Sequence, residues 1–313
     1  MSKSQLTEIK PKRMGSKIIL GVTLLLIFFI GGYVLNIYNG VKETINAQMY
    51  QPVPSIDQIQ SEKKIANKEP INFLLLGINK QYGGKGTAET LLVLSLDPKT
   101  ESLNLITIPR DTRAEIVGKG TEDRINKAYS HGEADMAIAS VENLLGMELD
   151  YYIQLNLAGV SDLIDGLGGI TINNELDIDI EELDIKLTPG ELHLSGTQAY
   201  RYVEMLANYE GDEIDFTAIQ DEIFGAIIQK STTSITINKL ETFADFLGDN
   251  LTTNLDFQNI EYLLQNYTAV QNNVTQYVLD GRKEIIDDMN YFIVPEEEIK
   301  KVQQMIEEED LEI

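Results

Sequence analysis

Ile18 to Leu35 read IILGVTLLLIFFIGGYVL, eighteen consecutive positions without a charged side chain. Wound as a helix, this run is about 27 Å long, close to the hydrocarbon thickness of a bilayer. Beyond it the pattern breaks into short apolar or alternating runs bounded by Gly, Pro or Asp. Positions 71–78, 90–97, 102–109, 151–156 and 169–172 read this way and predict core strands. Apolar spacings of three and four predict helices over 124–145, 157–168, Ser195 to Met205, 216–230, 239–248, 256–266 and 294–309. The polar stretch 39–70, with Pro52, Pro54 and Pro70, predicts a stalk. Strands and helices alternate over 71–313, which implies one layered α/β domain.

Charge gives the apolar run a direction. Lys3, Lys10, Lys12, Arg13 and Lys17 precede it against a single anion, Glu8. The positive-inside bias makes 1–17 a cytoplasmic tail, 18–38 a transmembrane anchor and 39–70 an extracytoplasmic stalk. A cleaved signal peptide fits less well, because bulky Tyr33 and Val34 follow Gly31-Gly32 where cleavage needs small residues. The chain holds 25 Lys and Arg against 50 Asp and Glu, a net charge of −25. Without the tail's five cations and one anion, positions 39–313 carry −29. Nucleic acid is therefore not an expected partner, since that binding runs on phosphate neutralisation by cations. With no cysteine there is no disulfide framework, thiolate metal site or cysteine nucleophile. The two histidines, His131 and His193, make a multi-histidine metal centre improbable and read as structural or surface residues.

Common nucleotide and hydrolase motifs fail. The cluster Gly83-Gly84-Lys85-Gly86 lacks the Ser or Thr that a phosphate-binding Walker loop places after its lysine. Ser95, Ser130, Ser161 and Ser195 lack the glycines of a nucleophile elbow. What stands out is Ile108-Pro109-Arg110-Asp111-Thr112-Arg113, at a strand's C-terminal end, followed by Asp123-Arg124-Ile125-Asn126-Lys127-Ala128-Tyr129. The four cations of these two elements are an exception in so acidic a chain. Arginine forks match phosphate oxygens, and a neighbouring carboxylate suits a magnesium ion bridging them. Surface salt bridges to the abundant acids are the competing reading.

A resemblance weighs on this choice. Phe73–Gly77 (FLLLG), Gly86–Thr90, Thr107–Thr112 (TIPRDT), Arg124–Tyr129 (RINKAY) and Leu194–Val203 (LSGTQAYRYV) resemble, in order and spacing, the LytR-CpsA-Psr family. Leu144–Gly146, Asp150-Tyr151-Tyr152 and Leu167–Ile170 are similar to the family's intervening sequence, so that the likeness covers roughly 70–232. It implies an αβα-type sandwich with a central mixed sheet behind one N-terminal transmembrane helix. It also implies an extracytoplasmic protein of mostly Gram-positive bacteria. The implied activity moves a glycopolymer, such as teichoic acid or capsule, from a polyprenyl pyrophosphate carrier to peptidoglycan. Arg110 and Asp111 occupy the family's matching catalytic positions, Arg113, Arg124 and Lys127 would assist in binding substrate, and Glu89 with Asp111 would hold Mg²⁺.

The departures from the family pattern define a second expectation. Asn79 and Gln81 stand where the family has an Asp and an Arg, and Gly86-Thr87-Ala88-Glu89-Thr90 loses an arginine and trades Asp for Glu. Glu204 and Leu206 follow where arginines continue, and Asp215 to Glu222 replaces a further arginine-bearing element. A catalytically impaired member that binds a lipid or protein partner and regulates envelope assembly would show such losses.

Overall fold

The structure, a computed structural model, describes residues 38–79, 86–174, 178–180, 185–207, 247–307 and short stretches between 222 and 230. Among these no helix is long and apolar enough to cross a membrane. The expected anchor at Ile18–Leu35 lies outside them, as do most of the expected helices over 216–230 and 239–248.

Helix α1 (Gln58–Asn67) leads into β1 (Ile71–Asn79), β2 (Thr87–Asp97) and β3 (Ser102–Thr107). A short hairpin, β4 (Arg113–Ile116) and β5 (Thr121–Arg124), then opens α2 (Asn126–Leu145). After β6 (Tyr151–Asn156) and α3 (Leu157–Gly166) come β7 (Ile170–Asn174), β8 (Ile178–Ile180), β9 (Ile185–Leu187) and β10 (Gly190–Leu194). The remaining elements are α4 (Gly196–Ala207), β11 (Leu251–Thr253), α5 (Phe257–Asn266), β12 (Asn273–Val278), β13 (Arg282–Ile286), β14 (Met289–Ile293) and α6 (Glu296–Glu307).

Six strands form the central sheet in the order β11-β6-β1-β2-β3-β12. β1 runs antiparallel to β2 and parallel to β6, while β12 is parallel to β3, so the sheet is mixed. Alternation along β1 sorts its side chains between two apolar layers. Leu74, Leu76 and Ile78 join Val93, Ile106, α2 and Val302 of α6. Ile71 and Phe73 face the other way, against Tyr151, Ile65 of α1 and Ile260 and Leu263 of α5. A third cluster joins α3, β7, β10 and α4 through Leu163, Ile164, Ile170, Ile172, Leu194 and Tyr202.

The segment read as a stalk is packed from Ile45 onward. Ile45 and Met49 bury against Phe257, Ile56 enters the main core, and Ile65 lies under the sheet. Tyr50 bridges to Thr253, and the Asp57 carboxylate caps α1 by accepting the N–H groups of Ile59 and Gln60. Low apolar content hid this, because a helix lying flat on a sheet needs few buried positions. Positions 273–293, where the sequence predicts no strand, also differ: β12, β13 and β14 lie there. Every position of β12 but Tyr277 is exposed, which removes the alternation that marks a strand.

Lys64 ties α1 to the sheet through a 2.8 Å ion pair with Asp150, whose second oxygen accepts the N–H of Asn72 at 2.9 Å. Burial raises the Asp150 carboxyl above the usual carboxylate range, and Lys64 opposes that rise. A carboxyl with a raised folded-state pKa supports the fold below its unfolded value and loses that support as pH rises through the folded value. Lys64→Ala raises it further. The variant is expected to lose about 2 kcal/mol at neutral pH, with the deficit narrowing toward about pH 4 as Asp150 protonates. Thermal melts of parent and variant at both pH values check this, and an equal gap at both would clear Asp150 of the effect.

Candidate active site

The site begins with a slip in the β1–β2 ladder. Gly77 pairs with Thr90 and Ile78 with Ala88, which leaves Glu89 as the extra residue of a bulge. Bulges re-aim a side chain, and this one turns Glu89 toward the loop that leaves β3. Gly77 is needed here, since an added Cβ would sit 3.0 Å from both Thr90 Cβ and Leu157 Cδ2. Glu89 Oε1 accepts from Thr87 Oγ1 at 2.6 Å, and Oε2 accepts from Arg110 Nη1.

Arg110 sits in a turn closed by the Thr112 N–H bonding to Pro109 O at 2.9 Å. Two more backbone bonds lace this turn to the start of α2: Ile125 N–H to Thr112 O (2.7 Å) and Asn126 N–H to Arg110 O (3.2 Å). The two sequence elements are thereby one structural unit. Arg124 reaches Asp111 at 3.4 Å, and β4–β5 pairing sets Arg113 beside Arg124. Arg113 itself pairs with Glu122 at 2.6 Å. Lys127, one step into α2, has no ion pair among the described residues; its carbonyl accepts from Ser130 Oγ at 2.8 Å. Five of the six predicted site residues thus form a ribbon of paired charges, with Lys127 at its end.

Three buried polar atoms around this unit have no hydrogen-bond partner: Thr112 Oγ1, Asn126 Oδ1 and Arg124 Nε. Leaving such groups unpaired is costly unless a water or a ligand atom satisfies them. The oxygens of Glu89 and Asp111 are hard donors that suit magnesium, which typically takes one or two carboxylates and completes its shell with water and substrate phosphate. Among the described residues no group of three or more acidic or histidine side chains is placed to hold a metal ion. Tyr129, behind the loop, is pushed up to about 12, first by burial and then by Glu133, with a bond to Gln154 opposing.

Two residues that sequence reasoning missed come from far along the chain. The Phe292 N–H donates to Asp111 O at 2.9 Å, and Tyr291 lies against Arg113 and Asp123. No motif marks them, because their place is set by tertiary contact alone. Conversely, LSGTQAY resolves into a helix start. Ser195 Oγ accepts from Gln198 N–H at 3.4 Å while Gln198 Oε1 accepts from Ser195 N–H at 2.9 Å, a reciprocal capping box. Gly196 is required there, since a Cβ would lie 1.7 Å from Ser161 O. Glu222 accepts the N–H of Asn173, while Gln81, Asp215 to Asp221 and the side chains of Glu204 and Leu206 lie outside the described residues. His131 is exposed, and His193 shares a 3.3 Å hydrogen bond with Thr171.

The chain is similar to known proteins over most of its length. A Bacillus cereus protein named polyisoprenyl-teichoic acid–peptidoglycan teichoic acid transferase TagU is 33% identical over 284 residues, covering 89% of this chain and 91% of its own length. The crystal structure of B. subtilis TagU superposes with a TM-score of 0.61 at 28% identity, covering 77% of this chain and 97% of that one. A Streptococcus agalactiae protein superposes with a TM-score of 0.68 at 26% identity, covering 79% and 89%. The LytR_cpsA_psr family profile matches residues 33–308, nearly the whole region from the end of the apolar run to α6, and the chain belongs to that family.

Proposed function

We propose that this protein transfers a teichoic-acid-type glycopolymer from a polyprenyl pyrophosphate carrier to peptidoglycan, at the outer face of the membrane that its N-terminal helix crosses. The observation that carries the reading is the Glu89–Arg110 and Asp111–Arg124 arrangement, built by a bulge and a laced turn on a chain similar to TagU transferases. In the transfer an acceptor hydroxyl attacks the phosphorus joined to the sugar, the bridging P–O bond breaks, and polyprenyl phosphate departs, the hydroxyl's proton leaving with it. Negative charge gathers on the phosphoryl oxygens, and the Arg110 and Arg124 forks, with Arg113 beside them, would stabilise it. Magnesium, held by Glu89 and Asp111, would add electrophilic stabilisation of the same oxygens. The apolar Ile18–Leu35 run and the five cations before it support a single pass with a cytoplasmic N-terminus.

The pairing of Arg110, Arg113 and Arg124 with carboxylates favours one second reading, a binder that regulates envelope assembly without turnover. The full chain in proteoliposomes, given lipid-linked teichoic acid, peptidoglycan and Mg²⁺, separates the two. Covalent attachment to peptidoglycan supports transfer, whereas retention of the lipid without attachment supports the binder. Glu89→Gln is expected to raise the Mg²⁺ concentration giving half-maximal transfer by about tenfold, equivalent to about 1.4 kcal/mol. An unshifted Mg²⁺ titration would remove Glu89 from the metal's shell.

A further inference from the structure

We propose that Tyr291 is a positioning residue for the arginine cluster, its ring seating Arg113 while its strand holds the backbone of Asp111; the inference rests on the transferase reading of the site. The β13–β14 hairpin does not join a core. Across its ten strand positions Tyr291 alone is buried, while Ile285 and Met289 are 71% and 45% exposed. That one buried side chain is spent on the site. Arg113 Cζ lies 5.9 Å from the Tyr291 ring centroid, within the range of cation–π attraction. The phenol donates to Asp123 Oδ1 at 3.5 Å, and the same oxygen accepts the Arg124 N–H at 2.7 Å.

The next residue completes the clamp. The Phe292 N–H donates to Asp111 O at 2.9 Å, and Thr112 and Phe292 form a parallel bridge. Gly281 fixes the hairpin's base, since a Cβ there would meet Ile293 O at 2.4 Å and Phe292 Cε1 at 2.7 Å. The hairpin therefore touches the turn carrying Asp111, the guanidinium of Arg113 and the carboxylate preceding Arg124. Tyr291 makes two of these contacts and its neighbour Phe292 the third. Orienting Arg113 before substrate arrives lowers the ordering cost of phosphate binding.

The test uses the full chain in detergent micelles, labelled with ¹⁵N at arginine. In the parent the Arg113 Nε–Hε signal is expected to be displaced by the aromatic ring. Tyr291→Phe keeps the displacement, because it keeps the ring and loses the bond to Asp123. Tyr291→Leu returns the signal toward that of a free arginine and weakens geranylgeranyl pyrophosphate binding by about fivefold. In an Arg113→Ala background that fivefold loss is expected to vanish. An Arg113 signal unchanged by Tyr291→Leu, or a loss of equal size in the Arg113→Ala background, overturns the proposal. Should Tyr291→Leu fail to fold, Tyr291→Phe decides: a lost displacement there overturns the ring as the seat. A parent that binds no geranylgeranyl pyrophosphate while its Arg113 signal still responds to Tyr291→Leu would remove the transferase reading and leave the positioning intact.

Discussion

Arg110→Ala is expected to lower glycopolymer transfer by about 100-fold or more, the usual loss when a donor aimed at developing charge is removed. The geometry singles out this arginine. It sits at the apex of a turn closed by Thr112 and held to α2 by the Asn126 N–H, so its backbone cannot drift. Its side chain is 44% exposed, free to face an incoming phosphate, and its present partner is Glu89 on the bulge. An ion pair this exposed contributes at most about 1 kcal/mol to stability, so the variant should fold and melt within a few degrees of the parent. Arg110→Lys keeps the charge but replaces a planar fork with a point donor. It should fall between the two, at about a tenfold loss. Initial rates of attachment, measured beside melting curves, check both statements. Parental turnover in Arg110→Ala would place the reacting phosphates elsewhere.

The parts of this molecule that could be read from sequence are those that burial imposes on composition. β1, β2, β3 and β6 lie between two helical layers, so Ile71 to Ile78 and Leu91 to Leu96 had to be apolar and announced themselves. The site was legible for the opposite reason. In positions 39–313, of net charge −29, Arg110, Arg113, Arg124 and Lys127 are conspicuous, and two local elements carry them. What could not be read depends on contacts between distant segments. α1 buries little more than Ser61 and Ile65, too few positions to show a helical stripe. The bulge that re-aims Glu89 is one residue of register, invisible without its partner strand. Tyr291 meets Asp123 across 168 positions of sequence, and nothing local to either predicts the meeting. The Asp-to-Glu exchange at 89 reads from sequence as a lost family feature. In the structure the longer side chain reaches Arg110.

Asn254→Leu is expected to destabilise the domain by about 3 kcal/mol or more, because it leaves several buried groups unpaired at about 1–3 kcal/mol each. Asn254 is fully buried, just after the short edge strand β11. Its Oδ1 accepts the Tyr152 N–H at 2.8 Å, and its Nδ2 donates to Gln58 Oε1 at 2.9 Å and to Asp150 O at 3.2 Å. Gln58 Nε2 returns a bond to the Asn254 carbonyl at 3.1 Å, and Thr253 Oγ1 donates to Tyr152 O at 2.6 Å. One amide thus joins β6, the loop after β11 and the first turn of α1. Leucine is close in volume, so the loss is one of hydrogen bonds and not of packing. With a shift of about 2–4 °C per kcal/mol for a domain near this size, the melting point should drop by about 6–12 °C. Gln58→Ala breaks only its own bonds with Asn254 at a half-buried position, and about 1 kcal/mol is its expected cost. The site should feel the larger change too, since the β6–β1 pairing runs through Gly77↔Leu155, beside the bulge that carries Glu89. A melting point for Asn254→Leu no lower than that of Gln58→Ala would show that Asn254 does not hold these elements together.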